Sequence, residues 1–355
     1  MRIALDASHS LDRDPSGVGV YSARLIDALL AAAPETEFLL CYRANRYFRS
    51  LWRRRPANAR RRLLEPPLIG RLAGQVHVFH GLNQRLPRVR FRRSVATFHD
   101  LFVLTGPYAT AEFQRRFAGL AREAAERADH IIAVSRHTAG LVAERLGVEP
   151  SRITVAHHGV DPIPEFGAED LAVFRRRLRL ERPFLLHVGA IQARKNLRRL
   201  VEAFESLSLD LDLVLAGSDG YGAAEIHGRI AASSARWRIR ALGYVDRPTL
   251  ERLYRAATAL AFPSLEEGFG FPALEAMSAG LPLVTSNTSA LAEVAGDAAL
   301  LVDPADTAAI AAALARAVSD ADLQAELIRR GSARAGEFRW SRAAAETLAV
   351  YGRLA

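Results

Sequence analysis

Short apolar runs of three to six residues alternate with helix-like patterns along the 355-residue chain. Between the runs, apolar residues recur at helical spacing, for example in segments 113–126 and 197–207. Alternation of this kind is typical of βαβ units, which build parallel sheets covered by helices. The twelve predicted strands are residues 2–5, 38–41, 76–79, 95–98, 131–134, 153–156, 184–188, 211–216, 239–242, 259–262, 283–285 and 299–302.

Six predicted strands fall in each half of the chain, which favours two doubly wound domains over a single barrel. Two prolines and two glycines interrupt the pattern in segment 158–167, where we predict the domain boundary. The predicted fold class is α/β, with two Rossmann-like parallel-sheet domains whose strand ends face each other across a cleft. We assign residues 1–165 to an N-terminal domain, 166–337 to a C-terminal domain, and 338–355 to a helix that crosses back to the N-terminal domain.

The composition excludes several classes of protein. Half of the residues are apolar and a quarter are charged, which is ordinary for a soluble globular chain. The first residues offer no apolar signal-peptide region, and no uninterrupted apolar run is long enough for a membrane-spanning helix. The single cysteine, Cys41, excludes an internal disulfide framework and a cysteine-based zinc site. We therefore expect a cytoplasmic protein.

The net charge of +9 belongs entirely to the first half of the chain. It is concentrated in segment 43–93, where fifteen arginines accompany one acidic residue, Glu65. Two interpretations remain open: an amphipathic helix packed on the protein's own core, or an interfacial surface for anionic lipid headgroups. No nucleic-acid-binding signature accompanies the charge, so we expect no nucleic-acid partner. The apolar stripe of this helix consists of Tyr47, Phe48, Leu51 and Trp52.

The strongest chemical signal is segment 263–277, which follows a predicted buried strand and opens a helix. Gly268 and Gly270 allow the backbone to approach a ligand closely, and a helix N-terminus favours an anion. Glu267 is predicted in the loop, where its carboxylate can accept from hydroxyl donors, and Glu275 is predicted in the first helical turn. The alternative interpretation is that Glu275 only complements the helix dipole and the glycines only turn the chain.

A second signal is segment 189–196, which follows the predicted strand at 184–188. Arg194 and Lys195 place two cations at the start of a helix, where they oppose the macrodipole. Bound phosphate would reverse the sign of that interaction, although a solvated basic turn is the simpler alternative. Lys195 is the only lysine in the chain, and Asn196 is predicted to be the N-cap.

A third signal is the glycine-containing segment 16–21, predicted as a flexible loop before a helix that begins near Ser22. Gly17 and Gly19 resemble a phosphate-cradling loop, but the third glycine of a dinucleotide fingerprint is missing.

Polar residues also follow three predicted strands of the first half: His80, His99 with Asp100, and Ser135. An imidazole can donate to a sugar hydroxyl, and the Asp100 carboxylate can orient the His99 ring. The alternative for both histidines is a buried structural role. No spacing of histidine and acidic residues predicts a metal site.

Together, in chain order, these motifs resemble the retaining glycosyltransferase family 4, which has the two-domain architecture termed GT-B. Glu267 and Glu275 match the E-x7-E element of that family, in the sequence Glu-Gly-Phe-Gly-Phe-Pro-Ala-Leu-Glu-Ala-Met. The likeness covers nearly the whole chain. It includes segments 17–19, 80–81, 99–100, 134–138, 159–161, 194–196 and 243–245.

The resemblance implies a hexosyltransferase that uses a nucleotide diphosphate sugar, with an N-terminal acceptor domain, a C-terminal donor domain, and no metal or other cofactor. Lys195 and Arg194 would hold the diphosphate, Glu267 the transferred sugar, Glu275 the ribose hydroxyls, and His99 the sugar from the other domain. The predicted catalytic residues are Lys195, Arg194, Glu267 and His99. The further donor-binding candidates are Gly17, Gly19, Ser218, Tyr244, Val245, Gly268, Phe269, Gly270 and Phe271, and the acceptor-side candidates are His80, Asp100 and Ser135.

Relatives with the Arg-Lys-Asn sequence often use GDP-mannose, so mannose is the expected sugar. We expect a saccharide or lipid-linked acceptor, in cell-envelope or O-antigen-type glycan synthesis on the inner face of the cytoplasmic membrane. Ala190 and Val20 stand where many relatives have arginine. Those departures leave open a catalytically silent sugar-binding relative, and a nucleotide-sugar epimerase is a further alternative. A pyridoxal-dependent phosphorylase needs a Schiff-base lysine, and the only lysine lies in the predicted diphosphate site.

Overall fold

The described residues of the computed structural model are 1–12, 16–66 and 68–355. They divide into two compact units. The first comprises Met1–Leu104, Ala111–Gly159 and Phe338–Ala355, and the second comprises Thr105–Thr110 and Val160–Glu337. Within the described ranges, no helix combines the length and apolar character that crossing a bilayer requires.

The first unit contains a sheet of seven parallel strands in the order β3-β2-β1-β4-β5-β6-β7. The order reverses between β1 and β4, as in other doubly wound folds. Its elements are β1 (Arg2–Asp6), α1 (Gly17–Ala32), β2 (Glu37–Tyr42), α2 (Ala44–Ser50), β3 (Ala59–Leu63), α3 (Leu68–Ala73), β4 (Val78–Gly81), β5 (Ser94–Phe98), α4 (Phe102–Thr105, whose last residue belongs to the second unit), α5 (Ala111–Arg127), β6 (His130–Ala133), α6 (Arg136–Leu146) and β7 (Ile153–Val155).

The second unit contains six parallel strands in the order β10-β9-β8-β11-β12-β13, which reverses between β8 and β11. Its elements are α7 (Ala168–Arg177), β8 (Phe184–Val188), α8 (Leu197–Glu205), β9 (Asp212–Ala216), α9 (Ala223–Ala231), β10 (Ile239–Gly243), α10 (Arg247–Ala256), β11 (Ala259–Phe262), α11 (Phe271–Ser278), β12 (Leu283–Ser286), α12 (Ser289–Ala295), β13 (Leu300–Val302), α13 (Thr307–Ser319) and α14 (Ala321–Ala335). The predicted α/β class with two doubly wound parallel sheets is confirmed.

Burial explains why the strands are apolar throughout. Every residue of β5, β8, β9 and β11 is buried, because helices cover both faces of a parallel sheet. The unpredicted strand β3 lies at the sheet edge and has the sequence Ala-Arg-Arg-Arg-Leu. Three arginines in five residues give no apolar run, so its position depends on pairing with β2.

The last helix, α15 (Trp340–Leu354), belongs to the first unit and packs against α1. Its Tyr351 is fully buried, and the Tyr351 hydroxyl lies 2.6 Å from Nδ1 of His80 on β4. The other ring nitrogen of His80 lies 2.8 Å from Thr97 Oγ1, which in turn lies 3.0 Å from the Tyr21 hydroxyl. This hydrogen-bonded chain joins α15, β4, β5 and α1.

Candidate active site

The loops after β8 and β11 begin where the strand order of the second sheet reverses. These two strands pair directly, with Ala259 opposite Leu185 and Leu260 opposite Leu186. Strands β9 and β10 lie on one side of this pair, and β12 and β13 lie on the other side. The connections that follow β8 and β11 therefore lead away from each other. Ligands of open α/β sheets bind in the crevice that forms at such a point.

Three charged side chains from these two loops form one cluster. Lys195 Nζ donates to Glu267 Oε1, and an Arg194 guanidinium nitrogen donates to Glu267 Oε2 over 3.0 Å. The exposed fractions of the Arg194, Lys195 and Glu267 side chains are 11%, 9% and 8%. The Phe262 ring also faces the ammonium, with its centroid 4.8 Å from Nζ. The structure thus brings together three of the four predicted catalytic residues.

The charges of this cluster determine the protonation of its carboxylate. Burial raises the pKa of Glu267, but the nearby charges of Arg194 and Lys195 outweigh that effect and lower the pKa to about 2. Glu267 is therefore ionised at neutral pH and accepts hydrogen bonds. Because two cations face one carboxylate, the cluster has one positive charge in excess, which suits an anionic ligand.

Asn196 fixes the Lys195 loop by contacts that differ from the predicted cap. It precedes α8 in a left-handed conformation with φ of 59°, and its side chain makes no capping hydrogen bond. The side-chain amide instead donates to the carbonyls of Pro263, over 3.0 Å, and Pro304, over 2.7 Å. Asn196 is thus the N-cap residue of α8, as predicted, but its amide joins this loop to the loops after β11 and β13 instead of capping the helix.

Glycines at the ends of three neighbouring strands allow close backbone contact beside the cluster. Gly217 donates its N–H to the Gly243 carbonyl over 2.8 Å. A Cβ atom on Gly217 would lie 2.0 Å from the Gly189 carbonyl oxygen, so no larger residue fits without movement. The adjacent Ser218 is exposed, and its carbonyl accepts from the Ile191 N–H over 2.9 Å. Ser218 therefore lies beside the loop that holds Lys195.

The other donor-loop candidates surround the start of α11. Gly268 and Phe269 are buried, and Gly270 has a φ of 99°, a conformation that favours glycine. A Cβ atom on Gly270 would lie 2.6 Å from the Leu291 side chain. Helix α11 begins at the next residue, Phe271, so its first N–H groups face the end of this loop.

Glu275 lies in the second turn of α11, one turn later than predicted, because the helix begins at Phe271. Its carboxylate accepts from Arg247 at one oxygen and from the Tyr254 hydroxyl, over 2.9 Å, at the other. Since each carboxylate oxygen has two lone pairs, these contacts orient Glu275 and leave acceptor capacity. Sequence reasoning missed both partners.

Tyr244 and Val245 occupy the short connection between β10 and α10. Tyr244 is about half exposed and Val245 is partly buried. Both precede Arg247, the residue that contacts Glu275. This connection therefore places the two predicted donor-binding residues next to the Glu275 contact in sequence.

In the first unit, Gly17 and Gly19 lie inside a helix. The structure begins α1 at Gly17, with Ser16 as N-cap, so the prediction of a flexible loop up to Ser22 was wrong. The helix forms through residues that are buried on one side, Tyr21 among them, and this tertiary packing outweighs the low helix propensity of glycine. Both glycines therefore contribute N–H groups of a helix N-terminus.

His99 is 7% exposed, and its Nε2 lies 2.9 Å from the Leu82 carbonyl. A carbonyl only accepts, so Nε2 must bear the hydrogen. Burial lowers the His99 pKa to about 4, which keeps the ring neutral and Nδ1 unprotonated. His99 thus presents an acceptor rather than the donor that was predicted. Its orienting partner is the Leu82 carbonyl instead of the Asp100 carboxylate.

The three acceptor-side candidates have different surroundings. His80 is fully buried with both ring nitrogens engaged, and burial lowers its pKa to about 3. Ser135 is fully buried and caps α6 by accepting from the Thr138 N–H over 3.0 Å. Asp100 is partly buried, and its backbone carbonyl accepts from Gln84 over 3.3 Å. These contacts give His80 and Ser135 structural roles in the first unit. Neither residue is included in the site proposed below.

Sequence reasoning also missed His187, a fully buried residue of β8. Its Nδ1 donates to the Ala261 carbonyl over 3.0 Å, and its ring stacks on Phe262. Within the described residues, Nε2 of His187 has no hydrogen-bond partner. Burial, together with the nearby positive charge of Lys195, lowers the pKa of His187 to about 4. The sequence feature that could have revealed His187 is a single polar residue in the otherwise apolar run Phe-Leu-Leu-His-Val.

Known proteins resemble both halves of the chain. Residues 15–163 match the family described as Glycosyltransferase Family 4, and residues 170–334 match Glycosyl transferases group 1. O-antigen chain mannosyltransferase B of Escherichia coli is 33% identical over 282 residues, which cover 78% of this chain and 74% of that protein. A D-inositol 3-phosphate glycosyltransferase of Salinispora tropica is 32% identical over 79% of this chain, but this alignment spans only 62% of that protein.

The fold also matches a solved structure over almost its full length. Anabaena Alr3699/HepE, crystallised with UDP and glucose, superposes with a TM-score of 0.76 and 19% sequence identity. The match covers 99% of this chain and all of that chain. At this identity, the likeness concerns the fold.

Proposed function

The chain belongs to glycosyltransferase family 4, and from this premise we propose that it transfers mannose from GDP-mannose to a saccharide or lipid-linked acceptor. The observation that carries the proposal is the buried cluster of Lys195, Arg194 and Glu267 at the β8–β11 switch point. The similarity to an O-antigen chain mannosyltransferase supports mannose as the sugar and an O-antigen-type cell-envelope glycan as the product. We place the reaction at the inner face of the cytoplasmic membrane.

In the proposed reaction, a hydroxyl oxygen of the acceptor forms a bond to the anomeric carbon. The bond from that carbon to the diphosphate oxygen breaks, and its electron pair leaves with the diphosphate. Lys195 and Arg194 stabilise the charge that develops on this leaving group, a role that preorganised cations perform well in a buried site. The leaving phosphate oxygen takes the acceptor proton. Attack on the face from which the diphosphate departs retains the anomeric configuration.

The carboxylates are assigned to binding rather than to proton transfer. The low pKa of Glu267, about 2, makes it a poor proton donor at neutral pH and a good acceptor for hydroxyls of the transferred sugar. Glu275, oriented by Arg247 and Tyr254, accepts from the ribose hydroxyls. His99 accepts a substrate hydroxyl at Nδ1. The two cations supply the electrostatic stabilisation that a divalent metal would otherwise provide, so the reaction needs no metal.

The test uses the purified full chain with GDP-mannose, UDP-glucose and other nucleotide hexoses in the presence of EDTA. The acceptor is a synthetic polyprenyl-diphosphate saccharide with a terminal mannose. We expect GDP release that depends on the acceptor and requires GDP-mannose. Lys195→Ala leaves Glu267 paired with Arg194, so this variant is expected to fold and to lose at least about 100-fold in kcat/KM.

Matched variants separate the site from a general loss of charge. Glu267→Gln is expected to lose transfer, whereas Glu266→Gln, at the neighbouring position, keeps it. Arg198→Ala removes an exposed cation close to Lys195 and serves as the control for that substitution. Thermal unfolding confirms that each variant folds. Wild-type turnover in Lys195→Ala and Glu267→Gln would refute the assigned site.

Other outcomes of the same assay would contradict transfer itself. Binding of the nucleotide sugar without GDP release, for every donor and acceptor, would indicate a catalytically silent sugar-binding protein. Conversion of the nucleotide sugar without any acceptor would indicate an epimerase. Acceptor-dependent release from UDP-glucose alone would retain the glycosyltransferase and overturn the choice of mannose.

A further inference from the structure

Three large apolar side chains are exposed next to one another on α2 and the turn that follows it. Phe48, Leu51 and Trp52 are 70%, 54% and 92% exposed, and Trp52 is the most exposed large apolar residue of the described chain. A helix packed on its own core through this stripe would bury these side chains. The structure instead directs them into solvent, which is costly unless another apolar phase covers them.

An arginine-lined pocket lies immediately after this apolar group. It comprises about 480 Å³, a figure that includes open solvent, between α1, β2, β3 and the turn after α2. The hydroxyl-bearing residues Ser10, Tyr42 and Ser50 also line it, as does one carboxylate, Asp27. The cations that line it are Arg53, Arg54, Arg55 and Arg61.

Two of the four pocket arginines are held by backbone carbonyls rather than by carboxylates. Arg55 donates to the Ala59 carbonyl over 2.9 Å, and Arg61 donates to the Arg53 carbonyl. Among the described residues, none of the four forms an ion pair with an acidic side chain, in contrast to Arg46, which pairs with Asp12 nearby. In the part of the chain that the structure describes, four guanidinium groups therefore share one pocket with one carboxylate, Asp27, and an anion with several oxygens would complement them.

We propose that this pocket binds the phosphate of an anionic phospholipid headgroup while Trp52, Phe48 and Leu51 insert into the adjoining membrane interface. Guanidinium groups match the geometry of phosphate oxygens, and tryptophan favours the boundary between headgroups and acyl chains. A lipid surface offers both chemistries side by side. A free phosphate would satisfy the arginines and leave the apolar group in water. The inference goes beyond the proposed function and is independent of the donor site.

The experiment measures co-sedimentation of the full chain with vesicles of phosphatidylglycerol and phosphatidylcholine, without any nucleotide sugar. We expect binding to vesicles that contain phosphatidylglycerol at low salt, weaker binding at high salt, and little binding to phosphatidylcholine alone. In a Trp237→Phe variant, Trp52 becomes the main exposed fluorophore, and its emission is expected to shift to shorter wavelength on binding.

Substitutions with matched controls test the residues. Replacing Arg53, Arg54 and Arg55 by alanine is expected to lower the vesicle partition coefficient by on the order of 100-fold, since each arginine near an anionic surface contributes about fivefold. Arg176→Ala with Arg177→Ala removes exposed cations of the second unit and is expected to leave most of the binding. Trp52→Ala is expected to weaken binding several-fold, whereas Trp237→Ala, which removes another exposed tryptophan, is not.

Glycerol 3-phosphate distinguishes the lipid from a soluble phosphate. If it binds the pocket without vesicles and displaces them at micromolar concentration, the pocket is a site for soluble phosphate and the proposal is overturned. The proposal would also be overturned if the Arg176→Ala, Arg177→Ala control lost as much vesicle binding as the variant of Arg53, Arg54 and Arg55. An unchanged Trp52 emission on addition of vesicles would overturn it as well. Because these measurements need no donor, a failure here is distinguishable from a failure of sugar transfer.

Discussion

At the scale of single residues, the role proposed for a polar side chain depends on which of its atoms remains available to a substrate. In His99, the hydrogen bond from Nε2 to the Leu82 carbonyl fixes one tautomer, and burial keeps the ring neutral. Only Nδ1 then remains, and it can only accept. A hydroxyl of a substrate is the natural donor for it.

The acceptor role of His99 predicts opposite orders of activity and stability for two variants. His99→Gln can keep an amide donor on the Leu82 carbonyl but loses the acceptor at the Nδ1 position, so we expect near-normal stability and about tenfold lower kcat/KM. His99→Asn places an oxygen near the Nδ1 position and loses the Leu82 contact, so we expect about 1 kcal/mol lower stability and higher residual activity. Urea unfolding ranks the two variants by stability, and initial rates rank them by activity. If His99 had only a structural role, the more stable variant would also be the more active one.

The sequence could identify the charged residues of the candidate site but not the partners of its hydrogen bonds. Lys195 and Glu267 were predictable because the chain has one lysine, at a helix start, and an acidic residue in a glycine-rich loop. Asn196 is the N-cap residue of α8, but its amide bonds to the carbonyls of Pro263 and Pro304 instead of capping the helix. That choice depends on residues more than sixty positions away, which local patterns do not contain.

At the scale of secondary structure, strands buried on both faces were predictable because burial demands apolar runs. β8 and β11 have the predicted bounds, and each of the twelve predicted strands overlaps a strand of the structure. β3 was missed because an edge strand needs no apolar run, and its three arginines conceal it. The start of α1 was missed because two glycines precede the part of the helix with a clear pattern.

The close approach of strand ends predicts that Gly217 cannot be replaced. In Gly217→Ala, the new Cβ would lie 2.0 Å from the Gly189 carbonyl oxygen, and the backbone has a φ of 158°. We expect a loss of about 1–3 kcal/mol in the free energy of unfolding, together with weaker nucleotide binding, because the loop that holds Lys195 must move.

Gly228→Ala is the matched control for this prediction. Gly228 lies in α9, and no atom outside its own helical turn lies within 4 Å of the place that an alanine methyl group would occupy. Alanine is therefore expected to be neutral or stabilising by up to about 1 kcal/mol. Urea unfolding of both variants, with titration of GDP, measures the two effects. Equal stability of the two variants would contradict the proposed steric limit at Gly217.

At the scale of the whole molecule, buried neutral histidines make stability depend on pH. Burial lowers the pKa to about 3 in His80 and to about 4 in His99 and His187, and it lowers the His158 pKa well below 6.5. In the unfolded chain these groups titrate near 6.5. Between pH 6.5 and 4, the unfolded state therefore binds more protons than the folded state, and stability rises with pH.

We accordingly expect the free energy of unfolding to fall as the pH is lowered from 6.5 to 4.5, by up to about 1.4 kcal/mol per pH unit for each such histidine. Carboxylates with lowered pKa values, such as Glu267, lose their contribution to stability only below about pH 4.5. The change in stability between pH 6.5 and 4.5 therefore reports the histidines. Urea unfolding at several pH values measures the slope. His99→Gln removes one proton-binding group and is expected to reduce the slope, whereas His227→Gln, at an exposed position, is not. A stability that is constant or increases toward pH 4.5 would mean that the histidines become protonated within the folded protein, and the neutral acceptor assigned to His99 would then be untenable.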